Sequence, residues 1–386
     1  MEYFSGLQIE GFRRLFNVPL ELRPLCVLIG ANASGKTSVL DVFSLLANSA
    51  QGRLKKTLSD LGGIGMNLTG GDARWMSFKV SATTGDNKPI HYRLALKPQG
   101  VGYEIVDEML YLEGPEPPLF KYIESQHGAI RYLLPVGDGS ERDQLVPAVR
   151  QPDPGETALS VDPGYYVHTA EFRKQLTSIT YYHALDVGPR APVRLPQPLR
   201  PADLPGANGE DLVSCLYSIR ETDRDRFETI EGTLRAGFKD FERLDFPPVA
   251  AGTLAMTWKD QRFSRPMYMH QLSEGMLRFL WLVTLLQSPG LTAVTLLDEP
   301  EVSLHPELLS VLAELMREAS ARAQLIVATH ADRLVRFLEP REVVTLDIKE
   351  DGTASAAWAD TFDLEAWLHD YTLDEVWRLG RIGGRP

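Results

Sequence analysis

Leu25-Cys26-Val27-Leu28-Ile29 is an unbroken apolar run of the kind that forms a buried strand, and it leads directly into Gly30-Ala31-Asn32-Ala33-Ser34-Gly35-Lys36-Thr37. From Ser38 to Ala47 the apolar residues fall at helical spacing. The loop satisfies G-x-x-x-x-G-K-[ST], and a strand before it and a helix after it are the context that makes this pattern a phosphate loop. Successive backbone N–H groups and the helix N-terminus then face an anion. Lys36 is expected to set its charge against the β- and γ-phosphates of a nucleotide, and Thr37 to offer its hydroxyl to Mg²⁺. Gly30, Asn32, Ala33, Ser34, Gly35 and Ser38 complete the expected cradle. A glycine turn that merely starts a helix is the alternative.

Two further apolar runs end in polar chemistry. Val294 to Leu297 runs into Asp298 and Glu299, and a buried strand ends in two carboxylates where something cationic or protic meets it. Asp298 is expected to hold Mg²⁺, and Glu299 to polarise the attacking water. A solvated strand end is the alternative. Leu325 to Ala328 leads through Thr329 to His330. A neighbouring parallel strand would bring His330 to the sheet edge where α/β folds place ligands, there to hydrogen-bond a terminal phosphate.

The rest of the chain frames these segments. Phe4 to Phe12 and Val18 to Leu22 read as a hairpin feeding the first apolar strand. More than half of the 26 prolines fall between Pro115 and Pro205, which excludes long helices there and any coiled-coil arm. Short strands are expected at Trp75 to Val80, His91 to Leu96, Gly102 to Val106 and Ser178 to His183. Helices are expected at Glu210 to Ser218 and Arg224 to Ala236, and from Leu272 onward helices and strands alternate as in an α/β core. At 386 residues, with 44% apolar and 24% charged residues, the chain can bury a large core unaided by disulfides. Its two cysteines, Cys26 and Cys215, sit among apolar neighbours and read as buried thiols, which points to a reducing, cytoplasmic setting. The first residues carry no basic region followed by an apolar run, and no stretch approaches the ~20 apolar residues of a membrane span. A net charge of -12 argues against coating nucleic acid by bulk electrostatics. Arg190, Arg194 and Arg200 could still form a local phosphate or partner contact, or be solvated loop charges.

With these residues in hand, the chain resembles the ATP-binding-cassette class of P-loop ATPases, in its RecF-like and SMC-like branch. Leu272-Ser273-Glu274-Gly275-Met276 is similar to the signature motif of that branch and precedes Asp298 in the family's order. Ser273 and the Gly275 backbone would begin a helix whose free N–H groups suit an anion. In the family that anion is the γ-phosphate bound by the opposite subunit. Ser303 and His305, in Glu301-Val302-Ser303-Leu304-His305-Pro306, occupy the place of the D-loop, where transporter-type members usually carry Asp instead of His305. Leu7 to Phe16, with Arg13 and Arg14, resembles the branch's first hairpin. Tyr371 to Gly380 is similar to the ending of small stand-alone members. Gln99 is a candidate for the Q-loop glutamine, which the spacing does not single out.

The resemblance implies an α/β fold with a P-loop ATPase core like an ABC-ATPase head. That core is split between residues 1–50 and 265–386, with an N-terminal β hairpin and an inserted β-rich, then helical, lobe over 51–264. It further implies ATP and Mg²⁺ as ligands, hydrolysis to ADP and phosphate, and an ATP-dependent head-to-tail homodimer with no membrane partner. The role it suggests is a switch in DNA repair, recombination or genome maintenance. The other role is the ATPase subunit of an anti-phage defence or toxin-like system. The 56 residues after His330 are expected to be too few for an appended Toprim-type nuclease domain, so an effector is expected as a separate protein.

Overall fold

The computed structural model describes residues 3–70, 73–113, 120–134, 144–147 and 153–383. The chain forms two compact units, Met1–Thr180 with Pro340–Leu364 and Trp377–Pro386, and Tyr181–Glu339 with Glu365–Val376.

An eight-stranded antiparallel sheet dominates the first unit. Its order is Leu15–Glu21, Phe4–Phe12, Met76–Thr83, Pro89–Gln99, Gly102–Leu112, Phe120–Gln126, Ala129–Leu134 and Gln144–Pro147. Phe4, Leu7, Ile9 and Phe12 of one strand are all buried, although period-two alternation cannot place Phe4 and Leu7 on one face. A register shift between Phe4 and Gly6 against Met76–Thr83 resolves this, because a bulge adds one residue and restores the inward face. Of the four expected short strands, Ser178 to His183 is shorter in the structure, as Thr180–Tyr182, and three are longer, as Met76–Thr83, Pro89–Gln99 and Gly102–Leu112. Each of these three pairs along its neighbour past the point where its apolar alternation ends, and ladder hydrogen bonds need no apolar side chain.

Beside this sheet in the same unit, Leu25–Ile29 pairs in parallel with Val343–Ile348, which pairs antiparallel with Ala354–Trp358. All five residues of Leu25–Ile29 are buried, as a strand covered on both faces requires. The helix Lys36–Ser49 follows the phosphate loop and buries Val39, Leu40, Val42, Phe43, Leu45 and Leu46. Phe43 meets Phe4 with ring centroids 6.5 Å apart, and Phe172 of the helix Val167–Thr177 meets Phe4 at 5.9 Å. That eleven-residue helix is the longest described between Pro115 and Pro205, in keeping with the proline content.

A buried carboxylate pins the first unit together. Glu108 accepts hydrogen bonds from Ala158 N at 2.7 Å, Leu159 N at 2.9 Å and the Tyr92 hydroxyl at 3.0 Å. Its burial pushes its pKa up to about 7 against the opposing pull of these donors.

The second unit holds the helices Leu212–Thr222 and Arg224–Gly237, the latter capped by Asp223 accepting from Arg226 N. Two small three-stranded antiparallel sheets accompany them. The helix Glu274–Gln287 buries Leu277 and every residue from Phe279 to Gln287. Val294–Asp298 and Gln324–Ala328 pair in parallel with Asp298 opposite Ala328. The helix Leu308–Ser320 crosses over between them. Among the described residues no helix is long and apolar enough to cross a membrane. Cys26 and Cys215 are both buried and free, and burial pushes each thiol up to about 12, so neither is a reactive thiolate.

Candidate nucleotide site

In the first unit, Gly30 and Gly35 allow the loop its path. Gly30 has φ 146°, and a Cβ there would stand 2.3 Å from the Leu346 carbonyl oxygen. Gly35, at φ 110°, would meet Leu15 Cδ2 at 3.0 Å. Ala33 adopts the left-handed region at φ 62°. Gly35 is the N-cap of Lys36–Ser49, and no side chain caps that helix or places an acid in its first turn. Its first N–H groups are therefore left for an external anion. Lys36 is buried, with its Nζ donating to the carbonyls of Gly30 at 2.7 Å and Ala31 at 2.9 Å. Asn32, Ala33 and Thr37 are exposed, while Ser34 and Ser38 are buried. The Ser34 hydroxyl has no hydrogen-bond partner although it is buried, a cost a native structure carries where a ligand satisfies the group.

The opening hairpin reaches the helix behind this loop. Arg13, at φ 50°, pairs with Asp41 at 2.5 Å and donates to Ser38 Oγ at 3.3 Å and Asn67 Oδ1 at 2.9 Å. It is a structural brace, whereas Arg14 is exposed and donates to the Gly352 carbonyl. Gln99 ends a strand at an exposed hairpin turn.

In the second unit, the paired strands bring two of the expected catalytic residues together. Glu299 Oε1 lies 3.7 Å from His330 Nε2, and Glu299 N donates to the Ala328 carbonyl at 2.8 Å. Glu299 has φ 51° and Ser303 φ 63°. Six non-glycine residues among those described have left-handed backbone. Asn87 and His127 sit in hairpin turns, and Arg13, Ala33, Glu299 and Ser303 sit in the segments singled out from the sequence. Such backbone persists where the surrounding structure enforces it, most often at functional sites.

Asp298 has neighbours that the sequence did not announce. The Tyr181 hydroxyl donates to its Oδ2 at 3.2 Å, and His183 Nδ1 lies 3.8 Å from the same oxygen. Tyr181 lies within the strand Thr180–Tyr182 and His183 directly follows it, so a histidine at the end of the expected strand Ser178 to His183 was the available signal. Glu301 was read only as part of the D-loop segment. Its carboxylate accepts from the Thr329 hydroxyl at 2.5 Å, its Oε2 is buried without a partner, and burial raises its pKa above the usual carboxylate range.

Ser273 caps the helix Glu274–Gln287 by accepting from Met276 N at 3.3 Å, and Ser273 and Glu274 are exposed. Gly275 packs so tightly that a Cβ would stand 2.8 Å from the Ser303 carbonyl oxygen. His305 is exposed, its Nδ1 accepting from Glu307 N at 3.4 Å. Arg194 donates to the carbonyls of Val187 at 2.7 Å and Leu272 at 2.9 Å, so it braces the approach to Ser273. Arg200 pairs with Asp211, and Arg190 is exposed.

Hydroxyl and carboxylate oxygens at Thr37 and Asp298 are the donor types a hard divalent cation takes. The uncapped helix, the glycine path and the orphaned Ser34 hydroxyl fit a bound phosphate chain. A family model described as "AAA domain, putative AbiEii toxin, Type IV TA system" matches residues 25–336. No curated protein matches the chain. Among solved structures, the SMC head bound to the C-winged helix domain of ScpA aligns over 92% of this chain and 97% of that one, at TM-score 0.54 and 14% identity. An SMC head domain with an extended coiled coil, bound to the C-terminal domain of ScpA derived from Pyrococcus furiosus, aligns over 92% and 96%, at TM-score 0.50 and 12% identity. At such identity the likeness establishes the fold.

Proposed function

This chain belongs to that AAA-domain family, as an ABC-type P-loop ATPase of the SMC-like and RecF-like branch, and from this premise we propose that it binds ATP with Mg²⁺, hydrolyses it, and pairs head to tail in doing so. The observation that carries the reading is the phosphate loop, where a buried unpartnered hydroxyl at Ser34 lies in a glycine path ahead of an uncapped helix. In this reading the loop N–H groups and Lys36 bind the phosphates, while Thr37 and Asp298 hold the cation. The cation, when bound, neutralises charge developing on the β- and γ-phosphate oxygens. Glu299 orients the attacking water, and His330, 3.7 Å from it, holds the terminal phosphate.

Ser273, Glu274 and Gly275 act in trans on the nucleotide of a second copy. Ser273 is exposed at a helix start, which leaves it accessible to that partner. A twofold axis repeats each contact, so two nucleotides are enclosed per pair. Ser303 and His305 lie on the segment that follows the carboxylates and take part in the same contact.

The branch resemblance favours a switch in DNA repair, recombination or genome maintenance. The family description, which names a toxin and a type IV toxin–antitoxin system, favours the other role. There, ATP-dependent pairing controls a separate effector protein, and we adopt that role here. A net charge of -12 fits a protein partner better than a bare DNA surface.

The test combines two measurements. Glu299→Gln is expected to shift from monomer to dimer mass when saturated with ATP and Mg²⁺, and Lys36→Ala to lose nucleotide binding. A monomeric Glu299→Gln protein under those conditions removes the pairing, and an ATPase rate raised severalfold by DNA removes the effector role in favour of genome maintenance.

A further inference from the structure

The helix Glu274–Gln287 carries a second charged group beyond its exposed start. Arg278 lines a cavity of about 10 Å³ together with His183, Trp281, Asp298 and Glu299. Its Nε and Nη1 are buried and make no hydrogen bond. A guanidinium stays charged at any working pH, and two unsatisfied buried donors on it are costly. The cavity is at the threshold of room for a single water, and such a water needs two to four polar partners. Arg278, a donor, and Asp298 and Glu299, which carry acceptors, all line the same space.

We propose that this cavity binds one ordered water through which Arg278 positions the carboxylates of Asp298 and Glu299. Arg278 is thus a positioning residue that links the helix begun by Ser273 to the hydrolytic end of the strand Val294–Asp298. The inference rests on the ATPase reading above and deepens it. Arg278 stands five positions after Ser273, about 1.4 helical turns along the same helix. A phosphate that engages the helix start therefore acts on the same rigid element that holds the water. No bond to substrate is made by Arg278, and its effect reaches the reaction through the carboxylates alone.

The position makes an unusual demand on a variant. Arg278→Met keeps an unbranched apolar stem and removes the charge and donors. A purely structural arginine would lose stability on this change. A guanidinium whose buried donors reach only a water, replaced by an apolar chain, leaves stability unchanged or raised. The expected result is a kcat lower by about 10- to 100-fold, the cost typical of losing a partner that orients metal-site ligands. KM for ATP stays within about twofold and the melting temperature is equal or higher. Arg278→Lys, which retains one charge and donors to water, restores part of kcat. A crystal structure of the wild-type chain is expected to show a water in the cavity bonded to Arg278, and the Arg278→Met structure a dry cavity.

Wild-type kcat in Arg278→Met, or a loss of activity that tracks a lowered melting temperature, overturns the inference while leaving the ATPase reading intact. An inactive wild-type chain instead sinks the ATPase reading and the positioning role with it.

Discussion

The Thr329 hydroxyl donates to the Glu301 carboxylate at 2.5 Å, joining the turn after the strand Val294–Asp298 to the residue that precedes His330. Thr329 Oγ1 also accepts from Ala331 N at 3.0 Å, so one buried hydroxyl holds both sides of the histidine. Glu301→Ala leaves that hydroxyl without its acceptor, at a cost of about 1–3 kcal/mol for an unsatisfied buried group. A histidine displaced by even an ångström also costs rate, so kcat is expected to fall by about tenfold or more with KM little changed. Thermal unfolding and steady-state ATPase assays of Glu301→Ala and Glu301→Gln check this. Equal melting temperature and kcat in Glu301→Ala would show that the contact does not set His330.

The pH dependence of the first unit is expected to report on Glu108. Its pKa is about 7 in the folded chain against 4.5 for an ordinary glutamate. Between these values the folded chain keeps a proton that the unfolded chain has released, so unfolding free energy falls as pH rises. The stabilisation is complete below about pH 4.5 and is lost as pH passes 7, a change of about 3 kcal/mol. Denaturant unfolding from pH 5 to 8 measures it. Glu108→Gln cannot titrate and should be less stable at pH 5 yet flat across this range, and a slope that survives the change would assign the titration elsewhere.

Much of the architecture could be read from local pattern, and the reason is visible in particular residues. The run Leu25–Ile29, the glycines at 30 and 35 and the apolar period of Lys36–Ser49 each encode their own conformation within a few positions. Ser273 likewise announces the helix it caps. Side-chain partnerships across distant segments have no such signature. Glu108 lies in a strand that reads as half-polar, and it is tolerable in the core because Ala158 and Leu159 turn their N–H groups to it from fifty residues away. Tyr181 and His183 reach Asp298 through the folding of the chain rather than through spacing. The Arg13 side chain, legible as a basic residue on a hairpin, is spent on Asp41 and Asn67 because the left-handed turn at Arg13 aims it inward.

The Tyr181 hydroxyl gives a test of the cation role of Asp298 that is independent of turnover. Removing it as Tyr181→Phe leaves the ring, which packs against His183 at a tilt of 37° with centroids 4.1 Å apart, and deletes the 3.2 Å hydrogen bond to Oδ2. Partners that orient a ligating carboxylate are typically worth about 10-fold or more in metal affinity. Mn²⁺ binding in the presence of a non-hydrolysable ATP analogue, followed by electron paramagnetic resonance, is therefore expected to weaken by about that factor. Unchanged Mn²⁺ affinity in Tyr181→Phe would show that the hydroxyl does not orient the carboxylate for a cation.

Glycines 30, 65 and 275 separate backbone necessity from mere permissiveness. A Cβ at Gly30 would stand 2.3 Å from the Leu346 carbonyl at a φ of 146°, and both neighbour and conformation are fixed by the sheet. Gly30→Ala is expected to destabilise the first unit by more than about 1 kcal/mol and to abolish ATP binding. Gly65 lies in the short helix Ile64–Asn67 with nothing within 4 Å of an added Cβ, so Gly65→Ala should be neutral or stabilising by about 0.5–1 kcal/mol. Gly275 differs from both, because its backbone is helical and the obstacle is the Ser303 carbonyl at 2.8 Å, at a residue already held left-handed at φ 63°. Gly275→Ala must push the helix start away from the turn after Glu299. The expected outcome is a folded protein that binds ATP with wild-type affinity but no longer forms the ATP-dependent dimer in the Glu299→Gln background. Light scattering of the double variant with ATP and Mg²⁺ decides it, since dimer formation at wild-type ATP concentrations would mean that the approach of Gly275 to Ser303 is packing without a part in pairing.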